Sequence, residues 1–281
     1  MRAEFDACFQ DPKRVTGERF VWDYWHLPNQ YTQLRTPAGQ FFSKKNYENF
    51  HNQLVWWGRR NLGCHDITPT GLSCYVDGCE QKLHGDLPHG PWAFVFSLTN
   101  WTQRKFKGGE TILLNEEILD YWGSIDRFHG LEEEKIFSRV APKFNRLVVF
   151  DPRIPHGVEK VTGVENVCEA RLVVHGWFVN PRPFIEGAIS TKELAEKIEI
   201  WTFGLGQIFQ NLGEVRGLLS VQLKVAADGS VRQTKFLSNN LRSASHSPED
   251  ITILLGYLKR ALGEAKFRRA KNPSLITVPF V

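Results

Sequence analysis

Cysteine is scarce in this chain of 281 residues. There are five, an odd number without regular spacing, so no disulfide framework is indicated. Cys64, Cys74 and Cys79 lie near one another but lack the paired C-x-x-C spacing of a structural zinc site, and buried free thiols are the expected state. No apolar run is long enough to span a membrane. The first residues, Met1-Arg2-Ala3-Glu4-Phe5-Asp6, place charges where a secretion signal needs an apolar stretch. A reducing cytoplasm and no membrane partner are therefore expected. An excess of one charge sign is lacking too: the net charge of +4 is too small to imply nucleic acid. What excess exists is unevenly placed. Residues 212–281 hold eleven Lys and Arg against five Asp and Glu, a local +6, which leaves the first 211 residues at −2.

Apolar and aromatic residues are ample, with 42% hydrophobic content and nine Trp, enough for one large or two small cores. Residues 1–45 read as irregular and aromatic, with Trp22, Tyr24, Trp25, Tyr31, Phe41 and Phe42 interrupted by Pro28 and Pro37. This segment is expected as either a substrate-facing arm or a flap across the outside of the next domain. Lys44 to Arg60 has helical spacing, with Phe50, Leu54 and Trp57 on one stripe. From Thr70 the period changes. Segments 71–76, 92–98, 110–114, 146–151, 157–161 and 170–179 are short, β-rich and bounded by Gly, Pro or Asp, which argues a barrel or jelly roll with flanking helices. The charged interval 116–139 reads as a surface insertion, a candidate lid.

Pro181-Arg182-Pro183 ends the ladder and closes a first domain, 1–183. Ser190-Thr191-Lys192-Glu193 is a capping box opening a connecting helix within 184–212. A compact α+β module occupies 213–281. In it Leu219, Val221, Leu223 and Val225 alternate with polar residues, Asp228-Gly229 makes a hairpin turn, and Val231 to Leu237 returns. Ser247-Pro248-Glu249-Asp250 starts a helix with Ile251, Leu254, Leu255, Leu258 and Leu262 on its buried stripe, and Ser274 to Val281 is a last strand.

The chemistry centres on His84-Gly85-Asp86. In extended backbone, residues i and i+2 face the same way, so an imidazole and a carboxylate are offered to one point. Two His and one carboxylate on a triangular face, with other positions open, is the ligand set of non-haem Fe(II) oxygenases. The best donor of a second imidazole is His156, after a buried strand and a Pro-bracketed turn. His65, His89 and His129 stand in loop-like contexts and are expected as solvated side chains. Arg171 stands on the next strand beside Leu172, Val173 and Val174. A lone Arg there needs an anionic partner, because an unpaired buried charge is costly; a nearby Asp or Glu is one candidate.

The order of these features, with a Gly-Gly-Glu hairpin at 108–110 between them, resembles the prolyl-4-hydroxylase-like branch of the Fe(II)/2-oxoglutarate dioxygenases over about residues 70–180. The resemblance implies a double-stranded β-helix, or jelly-roll, barrel and an oxidoreductase that hydroxylates an unactivated C–H bond. Its metal would be Fe(II), held by His84, Asp86 and His156. Its co-substrates would be 2-oxoglutarate and O2, with ascorbate as an accessory. Arg171 would grip the distal carboxylate of 2-oxoglutarate. Tyr75 is a further candidate for that co-substrate, with core packing as the alternative. An intact carboxylate at position 86 separates the chain from related halogenases. Trp177, six residues after Arg171, separates it from the nucleic-acid demethylating branch, which has Arg there. If Arg171 faces the barrel interior, alternation brings His175 and Trp177 inward too. His175 is then expected beside the site, or else satisfied by an unconnected core partner, and Trp177 as a pocket wall. A peptide or protein side chain is the leading substrate. A free amino acid or small metabolite is the alternative, and a silent jelly-roll adaptor the reading from another class. The 213–281 module, in its β-β-α-β order, resembles the small C-terminal domain of TonB and its relatives. Its basic residues, including Lys266, Arg268, Arg269 and Lys271, suggest docking to an acidic partner.

Overall fold

The computed structural model describes residues 1–86, 89–118, 136–210, 214–244 and 248–281. The expected lid at 116–139 lies mostly outside the described residues, as do His129 and the expected cap Ser247. Two compact units are present, residues 1–53 with 67–179 and residues 54–66 with 180–281. Among the described residues no helix is long and apolar enough to cross a membrane.

The first unit is a curled antiparallel jelly-roll sheet. Its strands run, edge to edge, Phe137–Val140, Thr111–Leu114, His156–Val158, Glu80–His84, Tyr31–Pro37, Gly71–Tyr75, Arg171–Pro181, Trp92–Ser97 and Leu147–Phe150. Strict alternation divides its two faces. Leu72, Cys74, Leu172 and Val174 face one way into a core with Phe5, Phe41, Phe42 and Leu98, while Tyr75, Arg171 and Val173 face the other way, into a cavity. Charged and polar residues survive in the middle of this sheet because the inner face surrounds that cavity rather than packed hydrocarbon.

The N-terminal segment is not a flap laid across the outside but is built into the sheet. It forms the helix Arg2–Phe9 and the antiparallel strands Asp23–Leu27 and Tyr31–Pro37, and the second of these is inserted between Glu80–His84 and Gly71–Tyr75. Trp22 and Phe41 are explained by the helix: Phe5 and Phe9 pack edge-on against Trp22, and both rings also meet Phe41, with Phe5 fully buried.

The Gly-Gly-Glu stretch turns sharply, with Gly108 at φ +73° and Gly109 at φ +84°. A Cβ at Gly108 would collide with the Lys160 carbonyl. Gly108→Ala is therefore expected to lower the unfolding free energy by more than about 1 kcal/mol in a urea titration. Gly206, in a helix with open space around it, gives the opposite sign: Ala there should add about 0.5–1 kcal/mol.

In the second unit a sheet of order Phe184–Glu186, Ser274–Phe280, Leu219–Val225, Val231–Asn239 is packed by the helices Thr191–Phe209 and Pro248–Gly263. The core holds Leu219, Val221, Leu223 and Val225 from the sheet and Leu254, Leu258 and Leu262 from the last helix. Leu194, Trp201 and Leu205 of the Thr191–Phe209 helix belong to the same core, so this helix is part of the module and not a connector. Ser190 caps it, accepting from the Glu193 N–H at 3.2 Å. The reciprocal arm of the capping box is diverted: Glu193 accepts instead from the Arg268 backbone N–H, which ties down the basic loop.

Candidate active site

His84 is the last residue of its strand and His156 the first of the neighbouring one, and the antiparallel register sets them directly opposite each other. Their ring centroids are 4.4 Å apart. Asp86, two residues on, reaches both, with Oδ1 3.6 Å from His84 Nε2 and Oδ2 3.4 Å from His156 Nε2. One ligand atom from each of the three lies within 4.8 Å of the others.

The tautomers follow from the backbone. His84 Nδ1 is 2.9 Å from the Lys82 carbonyl and His156 Nδ1 is 2.9 Å from the Ile154 carbonyl. A carbonyl only accepts, so both Nδ1 atoms carry hydrogen, and each neutral ring is left with its lone pair on Nε2. Two lone pairs then face the two oxygens of one carboxylate. That arrangement is repulsive unless a proton or a metal ion lies between them, and it matches the ligand set and outer-shell pattern of a divalent metal site. Burial works against ionisation of the Asp86 carboxyl, but the His156, His84 and His89 rings outweigh it and hold the group below its ordinary value. Gln81 Nε2, 3.1 Å from His84 Nε2, donates to the same lone pair.

The triad opens on a cavity of about 470 Å³. Arg171 lies in its wall, only 1% exposed. One guanidinium nitrogen donates to Thr111 Oγ1 at 3.2 Å. The other two, Nε and Nη1, are buried with no partner, and the guanidinium lies 4.4 Å over the Tyr75 ring. No Asp or Glu lies within ion-pair distance of it among the described residues, and the Glu110 carboxylate favours its charge only from further off. Orphaned buried guanidinium donors are costly and ask for a planar, two-oxygen anion. The donor set thus fits 2-oxoglutarate as well as a metal.

Arg171, Val173, His175 and Trp177 all line the cavity, as alternation from Arg171 requires. The His175 partner is Ser73, whose Oγ is 2.9 Å from Nε2. Ser73 in turn donates to Gln33 Oε1 at 3.3 Å, and Tyr75 donates to the same oxygen at 3.0 Å. His175 is therefore joined through Ser73 and Gln33 to the tyrosine that carries Arg171, an answer between the two alternatives open from sequence. Gly71 makes room for the ring: a Cβ there would stand 2.7 Å from His175 Nε2. Trp177 lies 4.5 Å from the ring of His89, and both line the cavity. His65, expected as solvated, is half-buried in the strand Cys64–Ile67.

Burial, with Arg35 and Arg171 adding to it, pushes His175 down to about 4. The unfolded chain binds that proton near 6.5. Between the two values the unfolded state holds more protons, so this contribution to stability is complete above about pH 6.5 and is lost as pH falls towards 4. His175→Phe should flatten that part of the stability–pH curve measured by chemical denaturation.

Gln33, Ser73, Gln81 and Thr111 carry no motif that marks them in the sequence. The available signal is position: Gln33 stands two residues from both Tyr31 and Arg35, and all three line the cavity.

Residues 70–179 match the family model of the 2OG-Fe(II) oxygenase superfamily. Over that segment the chain is similar to 2OG-Fe(II) oxygenases, a class of enzyme that uses Fe(II), 2-oxoglutarate and O2. Among solved structures it is similar to a prolyl-4-hydroxylase from Pseudomonas putida, at 18% identity and a TM-score of 0.43, covering 64% of this chain and 85% of that one. It is also similar to a prolyl hydroxylase from Trichoplax adhaerens in complex with a hypoxia inducible factor oxygen degradation domain peptide fragment. There the identity is 16% and the TM-score 0.39, covering 57% and 72%. A 2OG-Fe(II) oxygenase family oxidoreductase from Burkholderia pseudomallei is a third, at 16% identity and 0.37, covering 62% and 76%. No curated protein sequence matches significantly.

Proposed function

We propose that the chain hydroxylates an unactivated C–H bond in a peptide or protein side chain, using the cavity between Arg171 and the His84–Asp86–His156 triad. The observation that carries the reading is the pairing of two features in one cavity: two imidazole nitrogens and a carboxylate converging at one place, and a buried guanidinium with two orphaned donors at another. When bound, Fe(II) with 2-oxoglutarate and O2 supplies C–H oxidation coupled to conversion of 2-oxoglutarate to succinate and carbon dioxide.

The residues divide the remaining work. His84, Asp86 and His156 would hold the metal, their orientation fixed by the Lys82 and Ile154 carbonyls. Arg171 would bind the distal carboxylate, with Thr111 and the Tyr75 ring setting its plane. His175, with Ser73 and Gln33, keeps Tyr75 in place. Phe94, Phe150, Val158 and Val173 line the same space with hydrocarbon and restrict water, which strengthens every electrostatic contact made there.

A peptide substrate is supported by the rim. Trp25 lines the cavity from the strand Asp23–Leu27, whose five residues are all exposed. Among the described residues that strand pairs on one side only, with Tyr31–Pro37, and an extended segment can add to such an edge. The basic loop of the second unit is a separate candidate for docking an acidic partner, and a TonB-like interaction role for that unit belongs with it. Incubating the full-length protein with Fe(II), 2-oxoglutarate and O2 and quantifying succinate tests the activity. A gain of one oxygen in a candidate peptide, read by intact mass, tests the substrate class. Absence of any succinate from metal-loaded protein would contradict the first, and succinate without oxidation of any peptide in a broad panel the second.

A further inference from the structure

The strand Tyr31–Pro37 carries a cation that neither the metal triad nor the co-substrate site uses. Tyr31, Gln33 and Arg35 alternate onto the cavity side, while Leu34 packs in the core behind them. The Arg35 guanidinium lies 4.2 Å over the Trp25 ring, a contact that holds the planar fork in place and leaves its edge N–H groups unspent. Among the described residues no carboxylate pairs with it. Asp86, which faces the two histidines, is the one carboxylate lining the cavity among the described residues. Of the other cations there, Lys82 is tied to Glu80 at 2.7 Å, and Arg171 serves the co-substrate in the proposed oxygenase.

The register keeps the two arginines apart. Arg35 pairs with Ser73, which pairs with Val173, whereas Arg171 pairs with Tyr75. Arg35 is thus two strands across and two residues along from Arg171, roughly 12 Å between backbones from ordinary strand spacings. A single small dicarboxylate held by Arg171 leaves Arg35 without an anion, on the side of the cavity bounded by Trp25 at the rim.

We propose that Arg35, stacked on Trp25, is a second anion subsite, and that the substrate delivers a carboxylate to it. This rests on the proposed oxygenase activity and narrows its substrate class. The carboxylate has two chemical sources, the α-carboxylate of a free or C-terminal residue, and an acidic side chain beside the target residue.

The test uses the full-length protein loaded with Mn(II) and saturated with N-oxalylglycine, a non-reactive analogue that occupies the co-substrate position. N-acetyl amino acids are titrated against their amides, and acetylated X-Glu dipeptide amides against X-Gln, with tryptophan fluorescence as the readout. The expected result is that the acid of at least one pair binds about 10-fold or more tightly than its neutral partner, as charge-assisted pairing to a guanidinium gives. Arg35→Met should abolish the difference, and Arg35→Lys should keep part of it. A preference confined to the N-acetyl amino acids assigns an α-carboxylate, and one confined to X-Glu assigns a side chain. Equal binding of acids and neutral partners, a preference that survives in Arg35→Met, or no binding of any acid overturns the subsite. Failure of N-oxalylglycine itself to bind overturns the oxygenase reading as well, so the two failures are separable.

Discussion

Alanine at any one of His84, Asp86 or His156 is expected to lower succinate formation by more than about 100-fold, because even outer-shell partners of a metal cost about 10–100-fold when removed. The fold should survive. His84 and Asp86 are partly exposed, and the strand pairing that positions His84 opposite His156 is made by backbone. What should vanish is stabilisation by added Mn(II), which binds the folded state and shifts its melting in proportion to affinity. Metal-dependent stabilisation retained in all three variants would remove the triad from the metal site. Turnover retained in one fully loaded variant would remove that residue alone.

Replacing Arg171 by methionine is the second large effect, and it separates function from stability. In the absence of ligand the guanidinium is buried with two donors unmet, a cost that methionine of similar length does not carry. The apo protein should therefore be as stable as the parent or more so. With 2-oxoglutarate present, the variant loses one partner of a desolvated charge pair. That costs about 2–5 kcal/mol, or about 30-fold to several thousand-fold in affinity. Arg171→Lys should recover little, since a single ammonium cannot reproduce the fork. A large loss of apo stability in Arg171→Met, with co-substrate affinity intact, would mean that the arginine is structural.

How much of the fold and site is legible in the sequence depends on which face a residue serves. The strands bearing the site are readable because their outward positions are continuously apolar: Leu172 and Val174 mark the core side, so Arg171, His175 and Trp177 must share the other. His84-Gly85-Asp86 is readable from spacing alone, and the Arg171 register then follows. Tyr31–Pro37 is not readable as a sheet strand, since its cavity side is Tyr31, Gln33 and Arg35 and only Leu34 signals a core. Polar residues facing a cavity look like polar residues facing water. For the same reason Ser73 and Gln81 give no signal until their partners His175, Gln33 and His84 come within reach. Nor does a local pattern reveal which core a helix joins. Thr191–Phe209 has the cap and stripe of any amphipathic helix, and that Trp201 packs with Leu258 and Val221 is a property of the folded unit.

The most direct test is calorimetric titration of 2-oxoglutarate into anaerobic full-length protein, with and without saturating Mn(II). If Arg171 and the triad serve one bound molecule, metal and 2-oxoglutarate must favour each other's binding reciprocally. The account predicts one 2-oxoglutarate per chain, bound at least about 10-fold more tightly with metal, a coupling of about 1.4 kcal/mol, and loss of that coupling in Asp86→Ala. Binding that is indifferent to metal in the parent protein, or a coupling that persists in Asp86→Ala, would contradict it.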